Sequence, residues 1–209
     1  MNLHHLGKFD KIGLMKPVLF IDFDGTLCHD RFWRSLPMED YNSIQHLLFN
    51  KDKSVIEKWM VGDTNSEEIN RFIAEHLKRP FHDIWESFVS DCKTMYVDRA
   101  VLQKIDGLRT KYTVVLLTVN MDCFSRLTVP ELGLENYFDD ISNSYYTRKT
   151  KTYKEGEIYK ELASKHGASL VNCFTIDDSI SACDIFEKLG GKSYLVTPES
   201  NISAHLSKL

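Results

Sequence analysis

Residues 18–27 read Val18-Leu19-Phe20-Ile21-Asp22-Phe23-Asp24-Gly25-Thr26-Leu27. Four consecutive apolar residues stop at an acid and then turn through a glycine, the pattern of a buried parallel strand with charge at its carboxyl end. Outward from this stretch the pattern repeats. An apolar run at 114–117 ends in Thr118-Val119-Asn120, a further strand expected at 171–176 ends in Asp177-Asp178, and a last strand is expected at 193–196. Helical periodicity fills the gaps. Asp98 can cap a helix with Val101, Leu102, Ile105 and Leu108 on one face; 157–165 places Ile158, Tyr159 and Leu162 inward before Gly167; Ala182, Phe186 and Leu189 share a face before Gly190-Gly191.

Apolar strands alternating with amphipathic helices predict an α/β fold with an open, mostly parallel central sheet covered on both faces. Ligands in such folds sit at the strands' carboxyl ends. Three predicted strands end there in polar groups: Asp22 and Asp24, Thr118 and Asn120, Asp177 and Asp178. Between the first two strands lies a segment too long and too aromatic for a simple crossover. It is read as an all-α insertion over 32–95, with the α/β core formed by 1–31 and 96–209. Thr64-x-x-Glu67 resembles a capping box ahead of Ile69, Phe72, Ile73, His76 and Leu77, and a second amphipathic stretch carries Phe81, Ile84, Trp85 and Phe88. The aromatic residues Phe32, Trp33, Trp59, Phe72, Phe81 and Trp85 are expected mainly to build the core of this insertion.

Composition bounds the function without naming it. Of 209 residues, 27% are charged and 43% hydrophobic, as in ordinary globular proteins, and the formal charge of -4 offers no global basic field for nucleic acid. The five cysteines contain no Cys-x-x-Cys pair, so neither a disulfide framework nor a zinc site is expected. The segment 1–17 lacks the apolar stretch of a secretory signal and is expected to be a short ordered or frayed lead-in; no apolar run is long enough for a membrane span. A cytoplasmic location, with no membrane partner, is the corresponding expectation.

The segment Asp22-Phe23-Asp24-Gly25-Thr26-Leu27 closely resembles the nucleophile motif of the haloacid dehalogenase (HAD) superfamily. The resemblance extends along the chain: Thr118 after its strand is similar to the second motif, and Thr175-Ile176-Asp177-Asp178-Ser179 to the fourth. The segment 133–139 is similar to the stretch ahead of the family's lysine motif. A helical cap between the first and second motifs also fits the family. The resemblance implies a HAD-like Rossmannoid core and a phosphatase that hydrolyses a small phosphorylated metabolite. Asp22 would form an aspartyl-phosphate, and Asp24 would protonate the leaving alcohol and then activate water. A halide leaves without a proton, so Asp24 argues against dehalogenation.

Acids clustered beside a phosphate repel one another, by roughly 4 kcal/mol for like charges about 4 Å apart at an effective dielectric of 20. They therefore require a cation, and oxygen-only ligands point to Mg2+. By resemblance its ligands are the Asp22 carboxylate, the Asp24 backbone carbonyl, Asp178 directly and Asp177 through water. Thr118 would hold a phosphoryl oxygen, with Gly25, Thr26, Val119 and Asn120 as further substrate contacts. The neutralising lysine is sought among Lys149, Lys151 and Lys154, with Lys154 preferred for its Lys-Glu-Gly-Glu-Ile-Tyr context. Arg31 and Arg34 are candidates for an anionic substrate group, and His29 for aiding the leaving group. A phosphomutase and a non-catalytic binding protein of the same descent are the alternative readings.

Overall fold

The structure is a computed structural model and describes residues 16–51 and 53–209. Apart from Lys16 and Pro17, the expected lead-in 1–17 lies outside the described residues. The chain enters through β1 (Val18–Ile21) and passes into four helices: α1 (Met38–Gln45), which continues through a π-type turn, then α2 (Lys53–Met60), α3 (Ser66–Leu77) and α4 (Phe81–Lys93). Helix α5 (Arg99–Leu108) leads into β2 (Thr113–Thr118). After α6 (Val129–Leu132) come β3 (Asp140–Asn143), α7 (Ser144–Thr147), α8 (Glu157–Lys165), β4 (Phe174–Asp177), α9 (Ile180–Lys188), β5 (Lys192–Leu195) and α10 (Ile202–Leu206).

Among the described residues five strands form one sheet, all parallel, in the order β3-β2-β1-β4-β5. Every residue of β1 is wholly buried, because β1 is the central strand with helices on both faces. The period-2 alternation of strand side chains splits it between two cores. Leu19 and Ile21 pack with Val114, Leu116 and Ile105, while Val18 and Phe20 pack with Val115, Leu117, Tyr159 and Phe186. Each such side chain contributes roughly 1.5–3 kcal/mol when fully buried.

The insertion has its own apolar core, in which Trp33, Trp59 and Phe88 are fully buried and their ring centroids lie 5.1–6.1 Å apart. Trp33 holds a left-handed φ of 60°, a conformation costing an L-residue about 1–2 kcal/mol, which the complete burial of its ring offsets. Phe72 departs from the expected core role: it is 42% exposed on the outer face of α3. The core of the insertion also includes Met121 and Cys123, from the turn after β2. Asp122 between them is buried and accepts hydrogen bonds from Trp59 Nε1 (2.8 Å), Ser66 Oγ (2.6 Å), the Ser66 N–H (3.1 Å) and Arg126 Nη1 (2.6 Å).

Several local expectations shift. The capping box of α3 is Asn65 with Glu68, one residue beyond the expected Thr64 and Glu67. Thr64 instead donates its hydroxyl to Glu68 at 2.6 Å. The strand expected from 171 begins at Phe174, since 170–172 form a tight 3-10 turn that leaves Val171 exposed. Strand β3 has no counterpart in the sequence reading. All five cysteines are buried and unpaired. Among the described residues, no helix is long and apolar enough to cross a membrane.

Candidate active site

Because β2, β1 and β4 are adjacent and in register, their carboxyl ends bring Thr118, Asp22 and Asp177 to one floor. The Asp22 N–H donates to the carbonyl of Ile176 at 3.0 Å, so the acid stands one residue past the last paired position of β1. The chain then turns sharply: the N–H groups of Leu27 and Cys28 return to the Phe23 carbonyl at 2.8 and 3.0 Å, and Gly25 takes a φ of 76°. Two features favour glycine at this position, and any Cβ would push the Asp178 carboxylate aside. Besides its left-handed φ, a Cβ there would lie 2.1 Å from Asp178 Oδ2.

Asp22, Asp177 and Asp178 each offer an oxygen within 4.8 Å of the others, an all-oxygen set that could hold a cation. Asp22 and Asp177 are buried, whereas Asp178 is exposed. Asp177 is fixed from two sides, accepting from the Ser179 N–H at 2.9 Å through Oδ1 and from Lys151 Nζ at 2.6 Å through Oδ2. Lys151 Nζ is also 2.5 Å from Asp22 Oδ1. Burial works against the Lys151 charge, but Asp22 and Asp177 outweigh it and hold the ammonium above its ordinary pKa. Burial also drives the Asp22 carboxyl up, to about 8, with Lys151 opposing the rise and Asp177 reinforcing it.

The preference for Lys154 is corrected by the structure. Lys154 and Glu155 adopt left-handed φ values of 43° and 56° ahead of Gly156, and this turn carries the Lys154 side chain outward to meet Glu157 at 3.5 Å. Lys149 is also spent on surface acids, pairing with Glu157 at 2.7 Å and with Glu161. Of the three candidates only Lys151 enters the cleft, where it is 6% exposed.

Asp24 stands across the cleft on the side of the insertion. Burial raises its carboxyl to about 6, with Arg31 and Lys151 opposing. Asn120 was expected at the substrate; its Nδ2 instead donates to Asp24 Oδ2 at 2.6 Å, while its Oδ1 accepts from the Met121 N–H at 2.9 Å. The hydroxyls of Thr118 and Thr26 are buried without a hydrogen-bond partner among the described residues. Such a group costs free energy unless a ligand satisfies it. Val119 and Met60, the latter from α2, line the cleft together with Asp24. Arg34 is not available to a substrate, since it donates to the carbonyls of Asp91 and Thr94 at 2.9 and 2.8 Å. His29 is exposed and lines an outer groove with Gly25 and Asp178. Sequence reasoning gave no role to Met60 or to Asp122, for which no local motif exists.

Neither a family model nor a curated protein sequence matches the chain. Solved structures do. The HAD family enzyme bt-2542 from Bacteroides thetaiotaomicron, solved as a magnesium complex, superposes with a TM-score of 0.72 at 22% identity, over 93% of this chain and 100% of that one. The same enzyme has also been solved with magnesium and inorganic phosphate, at a TM-score of 0.70 and 21% identity, over 91% and 98% of the two chains. A predicted HAD-like family hydrolase from Porphyromonas gingivalis gives 0.73 at 19% identity, over 93% and 97%. A 2-haloacid dehalogenase from Pseudomonas syringae gives 0.60 at 15%, over 90% and 89%. A parallel five-stranded sheet, strand-end acids and a helical insertion after the first strand thus build, in this chain, the HAD fold.

Proposed function

We propose that this protein is a Mg2+-dependent phosphatase acting on a small phosphorylated metabolite, with Asp22 as nucleophile, Asp24 as general acid and base, and helices α1–α4 as a cap. The observation that carries the reading is the pairing of a nucleophile position with a buried, unsatisfied donor. Asp22 and the orphaned Thr118 hydroxyl share one strand-end floor, with the Lys151 ammonium bridging Asp22 and Asp177 beside them. A phosphoryl group placed there would give Thr118 its missing acceptor and would face a fixed cation. The magnesium and phosphate bound by bt-2542 on the same fold add support.

The acidic set Asp22, Asp177 and Asp178 fits Mg2+, which Asp22, Asp178 and the Asp24 carbonyl would hold directly, with Asp177, already engaged by Lys151 and Ser179, in support. When bound, the cation supplies the positive charge that keeps the buried Asp22 ionised and offsets the charge of the phosphoryl oxygens. Asp22 Oδ attacks phosphorus and the P–O bond to the leaving alcohol breaks, with Asp24 giving that oxygen its proton. Asp24, now a carboxylate, takes a proton from water as the water oxygen attacks phosphorus. The P–O bond to Asp22 breaks, and orthophosphate and free Asp22 result. A group that must be acid and then base works best with a pKa near the operating pH, and burial moves Asp24 to about 6. The Asn120 amide keeps its carboxylate aimed into the cleft.

The test is phosphate release from 4-nitrophenyl phosphate by the wild type and by Asp22→Asn, with and without Mg2+. Turnover by the wild type with metal alone is expected; equal turnover by both proteins would remove Asp22 from the chemistry.

A further inference from the structure

Asp24 separates two cavities. One, of about 350 Å3, holds Asp22, Lys151, Asp177 and Asp178, and is the phosphoryl site of the proposed reaction. The other, of about 440 Å3, opens on the far side of Asp24 beneath the helical insertion, and Met60 and Val119 line both. An ester whose phosphorus faces Asp22 and whose leaving oxygen faces Asp24 must put its alcohol in this second cavity. The walls there therefore select the substrate.

Those walls are formed mainly by Phe32, Trp33, Phe49, Met60, Met95 and Met121. Their polar groups are mostly committed elsewhere. Trp33 Nε1 donates to Asn70 Oδ1 at 2.9 Å, and Asp30 Oδ2 accepts from the Tyr96 N–H at 2.7 Å. Beyond Asp24 itself, what remains for a ligand among the described residues is the other carboxylate oxygen of Asp30, the Gln45 amide and the Arg31 guanidinium, whose Nη1 donates to the backbone carbonyl of Asp30 at 3.1 Å. A polyol buried here would leave most of its hydroxyls unpaired, each at a cost of about 1–3 kcal/mol. Aromatic and thioether walls favour a flat, polarizable body instead.

We propose that the alcohol released is aromatic, with a single polar edge met by Arg31 and Gln45, so that the substrates are phosphate monoesters of aromatic alcohols rather than sugar phosphates. This rests on the phosphatase reading and specifies its substrate class.

The experiment compares kcat/KM with Mg2+ for 2-naphthyl phosphate, glucose 6-phosphate and acetyl phosphate. Acetyl phosphate has a small leaving group that needs no proton, so it reports the Asp22 chemistry without the second cavity. The expected preference for 2-naphthyl phosphate over glucose 6-phosphate is on the order of a hundredfold or more. Phe49→Asp, which puts a charge on a half-buried wall position, is expected to cut that ratio at least about tenfold. Turnover of acetyl phosphate with glucose 6-phosphate equal to or better than 2-naphthyl phosphate overturns the substrate class and leaves the phosphatase reading standing. Turnover of none of the three sinks the phosphatase reading. Calorimetric titration of Mg2+-loaded Asp22→Asn then decides the cavity by itself: tighter binding of 2-naphthyl phosphate than of glucose 6-phosphate upholds its assignment, and equal binding overturns it.

Discussion

Replacing Lys151 by methionine keeps the length of the side chain and removes its charge. In the wild type, Nζ lies 2.5 Å from Asp22 Oδ1 and 2.6 Å from Asp177 Oδ2, with all three side chains buried. At an effective dielectric of about 20, each contact is worth about 6 kcal/mol of Coulomb energy, though desolvation cancels most of it. Removing one partner of a buried pair costs roughly 3–5 kcal/mol, here by leaving two carboxylates facing each other without a counter-charge. Metal-free Lys151→Met is therefore expected to melt about 10 °C below the wild type in a thermal scan. Under the proposed phosphatase reaction, loss of a fixed cation beside Asp22 should lower kcat/KM by about a thousandfold, the upper end for removal of one charge-stabilising donor. Mg2+ affinity should move the other way and rise, because the ammonium no longer competes for Asp22 and Asp177. Lys154→Met provides the contrast: that side chain is 64% exposed and, among the described residues, meets Glu157 and the Tyr153 ring, so turnover should stay within about twofold. Turnover of Lys151→Met within tenfold of the wild type, or an equal loss in Lys154→Met, would show that the Lys151 charge does not serve the reaction.

Gly25→Ala would drive a Cβ into Asp178, which it would meet at 2.1 Å, and Mg2+ affinity measured by titration should drop at least about tenfold; unchanged affinity would mean that Asp178 is not a ligand. Asp122→Ala leaves Trp59 Nε1, the Ser66 N–H and hydroxyl, and Arg126 without their shared acceptor, and is expected to cost roughly 3–5 kcal/mol in urea unfolding. A loss below 1 kcal/mol would show that the network is dispensable. Burial raises Asp24 from 3.8 to about 6, so its acid form is lost as pH climbs through that value. The kcat/KM for an alkyl phosphate should fall over this range while that for acetyl phosphate does not, and superimposable profiles would exclude Asp24 as the acid.

What the sequence disclosed depended on how each group is delivered. Asp22, Thr118 and Asp177 stand at the carboxyl ends of adjacent strands that the sequence reveals, so register brings them together, and Asp24 and Asp178 follow in the turns just beyond. Lys151 comes instead from a loop between α7 and α8 with three lysines in six positions. The choice among them is made by the left-handed turn at Lys154 and Glu155, which no residue-type pattern announced because neither is a glycine. Strand β3 escaped for another reason: Asp-Ile-Ser-Asn is a four-residue edge strand with one apolar side chain, too little for a period to register. The box at α3 slipped by one because Thr64, Asn65 and Ser66 can all cap. Asn120 was placed at the site, but its bond to Asp24 depends on a cross-strand approach that linear spacing does not encode.

The apolar core of the insertion is completed by Met121 and Cys123, with Leu127 and Tyr145 packed against it, all from segments that follow β2. The α/β body and the helical insertion are therefore not interchangeable parts. Recombination that exchanged residues 32–95 for the equivalent piece of another protein would expose these side chains and strip the buried Asp122 of the indole and serine it serves. A workable graft would have to carry the turn after β2 with it, and that turn begins next to Asn120, the residue that aims Asp24. Divergence in the insertion is thereby tied to the setting of the acid, so a change of specificity among descendants of this chain has to be a negotiated one, made by substitutions that keep both surfaces matched.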